Sequence, residues 1–182
     1  HYITLQYDGE VYDFSFNEKQ IAKRNNWGEK IETLKKSVPA FDFNKLDKMA
    51  YAAGPGSYTG ARLAYTFLQT IELILDKKFY AFSNLSALNL TSPEKIPVIK
   101  GNKNDFFYRY MGKDFYCDSA EDIPKGQYIG LKRDQLALKS LEQVDGKTIP
   151  TNILRMLLKD DNQELTSNFP NYIKELSYTK SQ

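Results

Sequence analysis

The chain has one cysteine, Cys117, and one histidine, His1, among its 182 residues. One thiol excludes an internal disulfide. One histidine leaves no Cys/His zinc set and no Ser-His-Asp triad. A lone cysteine fits a reducing compartment. No apolar run approaches the roughly 20 residues of a membrane span. No stretch reads as a secretory signal, so a cytoplasmic protein with no membrane contact is expected. Charge of one sign is also lacking: 25 Lys and Arg against 23 Asp and Glu give a net +2. Without an overall basic field, direct binding of nucleic acid has little support, although Lys100, Lys103 and Arg109 could form a local patch. There is no internal repeat and no low-complexity segment.

What is present is a large apolar and aromatic stock, 41% hydrophobic with 13 Tyr and 11 Phe. That is enough core for one substantial domain or two small ones. Asp8-Gly9 lies between two alternating runs, Tyr2–Gln6 and Val11–Phe16, which is a hairpin signal. Residues 20–38 read as a helix, with Trp27, Ile31, Leu34 and Val38 on one stripe; Gly28 starts or kinks it and Pro39 stops it. Lys48–Ala53 reads as a short buried strand.

A glycine-dense run follows, Gly54-Pro55-Gly56-Ser57-Tyr58-Thr59-Gly60-Ala61-Arg62-Leu63. Beyond it Leu63, Phe67, Leu68, Ile71, Ile74 and Leu75 recur at helical spacing. The chain therefore leaves a strand, turns sharply and enters a helix capped by Ser57 or Thr59. The free amides of such a helix start favour an anion. Yet no lysine follows the glycines as a P-loop requires, and the third glycine is one residue late for a dinucleotide fingerprint. Two readings stand side by side: an anion site, or a capped turn with no ligand. The helix itself is apolar nearly all round, which means deep burial or a partner.

In the second half, Lys77–Phe82 reads as a strand and Asn84–Leu88 as the start of a helix. Ile96–Ile99, Asp105–Met111 and Phe115–Cys117 read as a three-strand meander. Gln127–Leu131 is a short strand. Leu131–Pro150 carries only weak pattern. Ile153, Leu154, Leu157 and Leu158 form a helical stripe capped by Thr151 or Asn152.

The run from Gly54 to Leu63 resembles the Gly-Pro-Gly-Ser-Phe-Thr-Gly-x-Arg-Ile signature of the TsaB family, formerly YeaZ. Tyr58 stands for phenylalanine and Leu63 for isoleucine. Pro170-Asn171-Tyr172-Ile173-Lys174 is similar to that family's closing Pro-x-Tyr-Leu-Arg. The resemblance implies an α/β fold of the actin-like/Hsp70-like ATPase (ribonuclease H-like) superfamily, in two small lobes over 1–78 and 79–182. It places the family's first strand before His1, so that strand is missing here. Lys100-Gly101-Asn102 stands where the family has Asp-Ala-Arg, which removes a carboxylate from the cleft.

The resemblance also implies a role: a non-catalytic partner that binds and activates TsaD in making threonylcarbamoyladenosine on tRNA. TsaE would be a further partner, and tRNA would be met only through the complex. By the same carry-over two helices meet TsaD, or a second copy as a homodimer when TsaD is absent. The contacts expected are Trp27, Ile31 and Leu34 on one helix and Ala61, Tyr65, Leu68 and Gln69 on the other. Gly54, Pro55, Gly56, Ser57, Tyr58, Thr59, Gly60 and Arg62 are the signature turn and candidate anion site. No catalytic residue, metal or cofactor is assigned. The alternative is a nucleotide-binding ATPase or phosphotransferase of the same superfamily.

Overall fold

The computed structural model describes residues 1–16, 26–101, 105–159 and 167–173. Residues 20–25 of the first expected helix, Asn102–Asn104 and Lys174 lie outside them.

Strands β1 (Tyr2–Tyr7) and β2 (Glu10–Ser15) form the expected antiparallel hairpin around Asp8-Gly9, with Tyr7 opposite Glu10. Helix α1 (Trp27–Ser37) begins where Asn26 accepts the Glu29 amide. Leu34 and Val38 bury against Leu5, Tyr7 and Phe41, so the odd-numbered face of β1 packs on α1. Strand β3 (Met49–Gly54) then leads into helix α2 (Tyr58–Leu75), and strand β4 (Phe79–Ser83) returns parallel to β3. Residue alternation along β3 divides its two faces. Met49, Tyr51 and Ala53 meet Ala64, Tyr65, Leu68 and Ile71 of α2. Ala50 and Ala52 join the core on the other side. The position 78/79 falls between α2 and β4, strand β4 pairing with β3 of the preceding half.

After the short helix α3 (Asn84–Asn89), strands β5 (Ile96–Lys100), β6 (Phe106–Tyr110), β7 (Lys113–Cys117), β8 (Tyr128–Leu131) and β9 (Leu141–Val144) build one sheet in the order β7-β6-β5-β8-β9. The meander β5-β6-β7 is antiparallel, whereas β8 and β9 add in parallel. Strand β9 lies in the stretch whose pattern is weak; its four residues are too few for an alternation to declare itself.

Helix α4 (Thr148–Leu158) closes the fold. Its Ile149, Ile153 and Leu157 pack with Leu85 and Leu88 of α3 and with Ile99, Phe107 and Leu131 of the five-stranded sheet, and they also receive Ala50 and Ala52 of β3. The expected capping differs. Lys147 precedes the helix with no side-chain cap, and the Thr151 hydroxyl donates to the Lys147 carbonyl. Asn152 is buried and donates to the Ala87 carbonyl (2.7 Å) and the Thr91 hydroxyl (2.8 Å).

Between the hairpin and the β3-β4 pair lies a cavity of about 760 Å³. Among the described residues β1 pairs only with β2, and β3 only with β4.

Replacing Asn152 by Ala removes the donor from the buried Ala87 carbonyl and from the exposed Thr91 residue's hydroxyl. A loss of about 1–3 kcal/mol is expected, read as a lower urea midpoint at unchanged slope.

Candidate functional site

The signature turn takes its shape from two glycines. Gly54 has φ +107 and Gly56 φ +143, in the region where side chains are strained. The Gly54–Pro55 peptide is cis. Of the two expected caps it is Ser57 that serves: its hydroxyl accepts the Gly60 amide at 3.2 Å. Thr59 is exposed. The Asn84 side chain donates to the Pro55 carbonyl at 2.9 Å and fixes the turn from the β4–α3 side.

A strap formed by residues 168–173 crosses this turn. The Asn171 amide donates to the Ala53 carbonyl at 2.8 Å, and the Tyr51 hydroxyl donates to the Asn168 carbonyl at 2.6 Å. Burial, with Tyr65 and Tyr172 nearby, pushes the Tyr51 hydroxyl well above a tyrosine's ordinary value. Tyr172 lies against the first turns of α2: its hydroxyl accepts from Arg62 Nε at 2.8 Å, the guanidinium sits 5.5 Å from its ring, and Tyr58 is 5.3 Å away. Phe169 contacts Tyr65 at 5.5 Å.

Beneath strap and turn the Asp114 carboxylate gathers three donors. Ser83 Oγ is at 2.5 Å, Arg109 Nη1 at 2.6 Å and Asn171 Nδ2 at 3.3 Å. Ser83 also caps α3 through the Leu85 and Ser86 amides. The pattern of β7 gave no hint of this role for Asp114, which reads from sequence as a turn residue after Gly112. Arg109, a member of the possible basic patch, is committed to Asp114 and mostly buried.

The expected contact residues divide. Leu34 and Ala61 are buried within the chain. Tyr65 and Leu68 pack on β3, Tyr65 lying 5.8 Å from Phe79 as well. Trp27 stacks on Phe67 of α2 at 3.9 Å, which joins the two helices, and Ile31 is half-buried. Gln69 is exposed. The apolar surface of α2 that reaches solvent is at its far end, Leu73 (85% exposed) and Ile74 (68%), which the stripe reading assigned no role of their own.

At the end of β5 the position of the absent family carboxylate is not empty of acid. The Lys100 amide donates to Asp134 at 3.1 Å, and the buried Asp105 carboxylate fills the space beside Gly101. Burial raises the Asp134 carboxyl above its ordinary value, against the Lys100 amide and Arg133, which lower it. Sequence could not place Asp134 there because β8 reaches β5 only through the parallel pairing.

Two outcomes follow from this geometry. A β-carbon at Gly54 would lie 3.3 Å from the Asn171 carbonyl at a positive φ. Gly54→Ala is therefore expected to cost about 1–3 kcal/mol and to speed proteolysis of the strap. The folded state holds the Asp134 proton more tightly than the unfolded chain does. The group's contribution is full below the ordinary aspartate value and is lost as pH rises through its raised native value. Asp134→Asn keeps an acceptor for Lys100 and is expected to gain stability relative to the parent as pH rises from 3 to 7, in melts across that range.

The comparisons accord with this architecture. A family model described as "TsaD: tRNA N6-adenosine threonylcarbamoyltransferase" matches residues 25–127, more than half of the chain. No curated protein sequence matches it. Among solved structures, one is an uncharacterized protein with similarity to peptidase YEAZ from Pseudomonas aeruginosa. It is 15% identical with TM-score 0.70, over 94% of this chain and 93% of that one. Another, YeaZ from Pseudomonas aeruginosa, is 14% identical with TM-score 0.67, over 93% and 92%. Matched over more than half its length, and with the actin-like fold of YeaZ, the chain belongs to the TsaD domain family as a TsaB/YeaZ-like protein.

Proposed function

We propose that the chain is a non-catalytic partner that binds and activates a TsaD enzyme in threonylcarbamoyladenosine modification of tRNA. The observation that carries this reading is the unburied apolar end of α2. The helix already gives Ala61, Ala64, Leu68 and Ile71 to its own lobe, yet Leu73 and Ile74 stand in solvent. Exposed apolar side chains grouped on a helix mark a surface suited to packing against a partner. Gln69 on the same helix and Ile31 of α1 would flank the contact. TsaE would be a further partner, and tRNA would meet the chain only within the complex.

Self-association through the same helices is the expected state when TsaD is absent. Helix α1 supports it: Glu29 and Glu32 lie in its first half and Lys35 and Lys36 in its second. Two copies packed antiparallel about a two-fold axis would oppose unlike charges.

The alternative, a nucleotide-dependent phosphotransferase working at the signature turn, has less to support it. Ser57 takes the Gly60 amide, Tyr172 lies against the first turns of the helix, and no lysine of a P-loop follows the glycines. A peptidase reading has no support in this chain's inventory, whose one histidine is residue 1.

The test is gel filtration and titration calorimetry with the same organism's TsaD, using Leu73→Asp and Ile74→Asp. These side chains hold little of the chain's own core, so the fold should stay intact, with a small drop in melting temperature from an acid in the last turn of α2. Each substitution is expected to weaken the complex by roughly 10- to 100-fold, on the order of 1.4–2.8 kcal/mol. Absence of a complex with the folded parent chain would overturn the reading.

A further inference from the structure

Two elements flank α2. Trp27 of α1 stacks on Phe67 at 3.9 Å. Tyr65, two positions earlier, meets Phe169 of the strap at 5.5 Å. Residues two apart lie about 200° apart around a helix, so α1 and the strap hold opposite sides of α2. Between them runs an exposed stripe, Arg62, Thr66, Gln69 and Leu73, at i, i+4, i+7 and i+11. The strap itself has an inner and an outer side. Pro170 is buried, and Ile173 packs on the core around α3 and α4. Phe169 (64% exposed) and Tyr172 (44%) turn outward. Polar bonds already fix the segment: the Asn171 amide donates to Ala53, the Tyr51 hydroxyl to the Asn168 carbonyl, and the Asn171 side chain to Asp114. Phe169 touches Tyr65 and otherwise stands in solvent.

We propose that the strap is a further element of the partner-docking surface, with Phe169 and Tyr172 as its aromatic anchors, and that its occupant is the apolar helical surface of TsaD that meets α2. This rests on the partner reading above. Continuity selects the occupant. Tyr172 reaches the exposed stripe itself, its hydroxyl accepting from Arg62 Nε at 2.8 Å. A helix about 10 Å wide, laid along the stripe from the apolar end at Leu73 and Ile74, would overlap both rings beside Arg62 and Tyr65. Large rings held out on a segment that other bonds fix are suited to anchoring an interface. The backbone beneath them is ordered before binding, and each ring has only two torsions to freeze, so the entropy lost on docking is small. Through Asn171 and Asp114 the five-stranded sheet thereby positions part of a surface that lies on the other half of the chain.

The test titrates the same organism's TsaD into the parent chain, Phe169→Ala and Phe169→Tyr. Phe169→Ala is expected to weaken the complex roughly tenfold or more, and Phe169→Tyr, which keeps a ring, to bind as the parent does. Slow hydrogen exchange at the Asn171 amide, which is bonded to Ala53, reports that the strap stays seated in each variant. Hydroxyl-radical oxidation of Phe169 and Tyr172 in the parent chain gives a second reading that needs no substitution, and it should fall when the complex forms. Binding of Phe169→Ala at the parent's affinity, or oxidation of both rings unchanged in the complex, would overturn the proposal and leave the partner reading standing. An effect of Phe169→Ala on the homodimer alone would overturn it too, since a second copy would then be the occupant. Absence of a complex with the folded parent chain would overturn the partner reading and this proposal with it.

Discussion

The Asp114 carboxylate is the point on which the rest of the site depends. It sits at the start of β7, yet its donors come from β4, from β6 and from the strap. A mostly buried carboxylate is tolerated only when its charge is paired and its oxygens are bonded, and here Arg109 supplies the countercharge. Through Ser83 the same group is tied to the cap of α3. One residue thereby connects the β3-β4 pair, the five-stranded sheet and the segment that covers the glycine turn.

The apolar counterpart of that node is the contact between α3 and α4. Both helices are short, and neither could hold its form alone in water. They persist because Leu85, Leu88, Ile153 and Leu157 bury one another between the two sheets. Asn152 adds a polar stitch inside the apolar layer. The first half is built differently. Its hairpin packs on α1 and α4, and among the described residues no ladder joins it to β3.

Local chemistry was legible wherever a few neighbouring residues decide the outcome. Asp8-Gly9 marks the first hairpin, and Gly54 and Gly56 mark a turn that only glycine enters easily. The 3.6-residue period of α2 shows its helix. The signature was legible as a signature, but not the strap lying on it, since Asn171 and Ala53 are far apart in sequence. Periodicity shows that Leu34, Ala61 and Tyr65 are apolar-face residues. It cannot say that Leu34 faces β1, that Ala61 is buried within the chain and that Tyr65 meets β3 and the strap, because burial by one's own chain and burial by a partner leave the same pattern. The exposed pair Leu73 and Ile74 was hidden in the same stripe for the same reason.

The sequence by itself determined the element order as far as β8, the capped glycine turn, the shortage of thiol and imidazole, and the family. These rest on backbone preference, side-chain inventory and spacing, all carried within a dozen residues. Tertiary structure alone decided which faces are spent internally, where Asp134 and Asp105 meet the end of β5, and that residues of β1 and β3 line one cavity. The physical reason is that hydrogen-bond partners and desolvation are properties of the space between elements. No single element encodes what will stand opposite it.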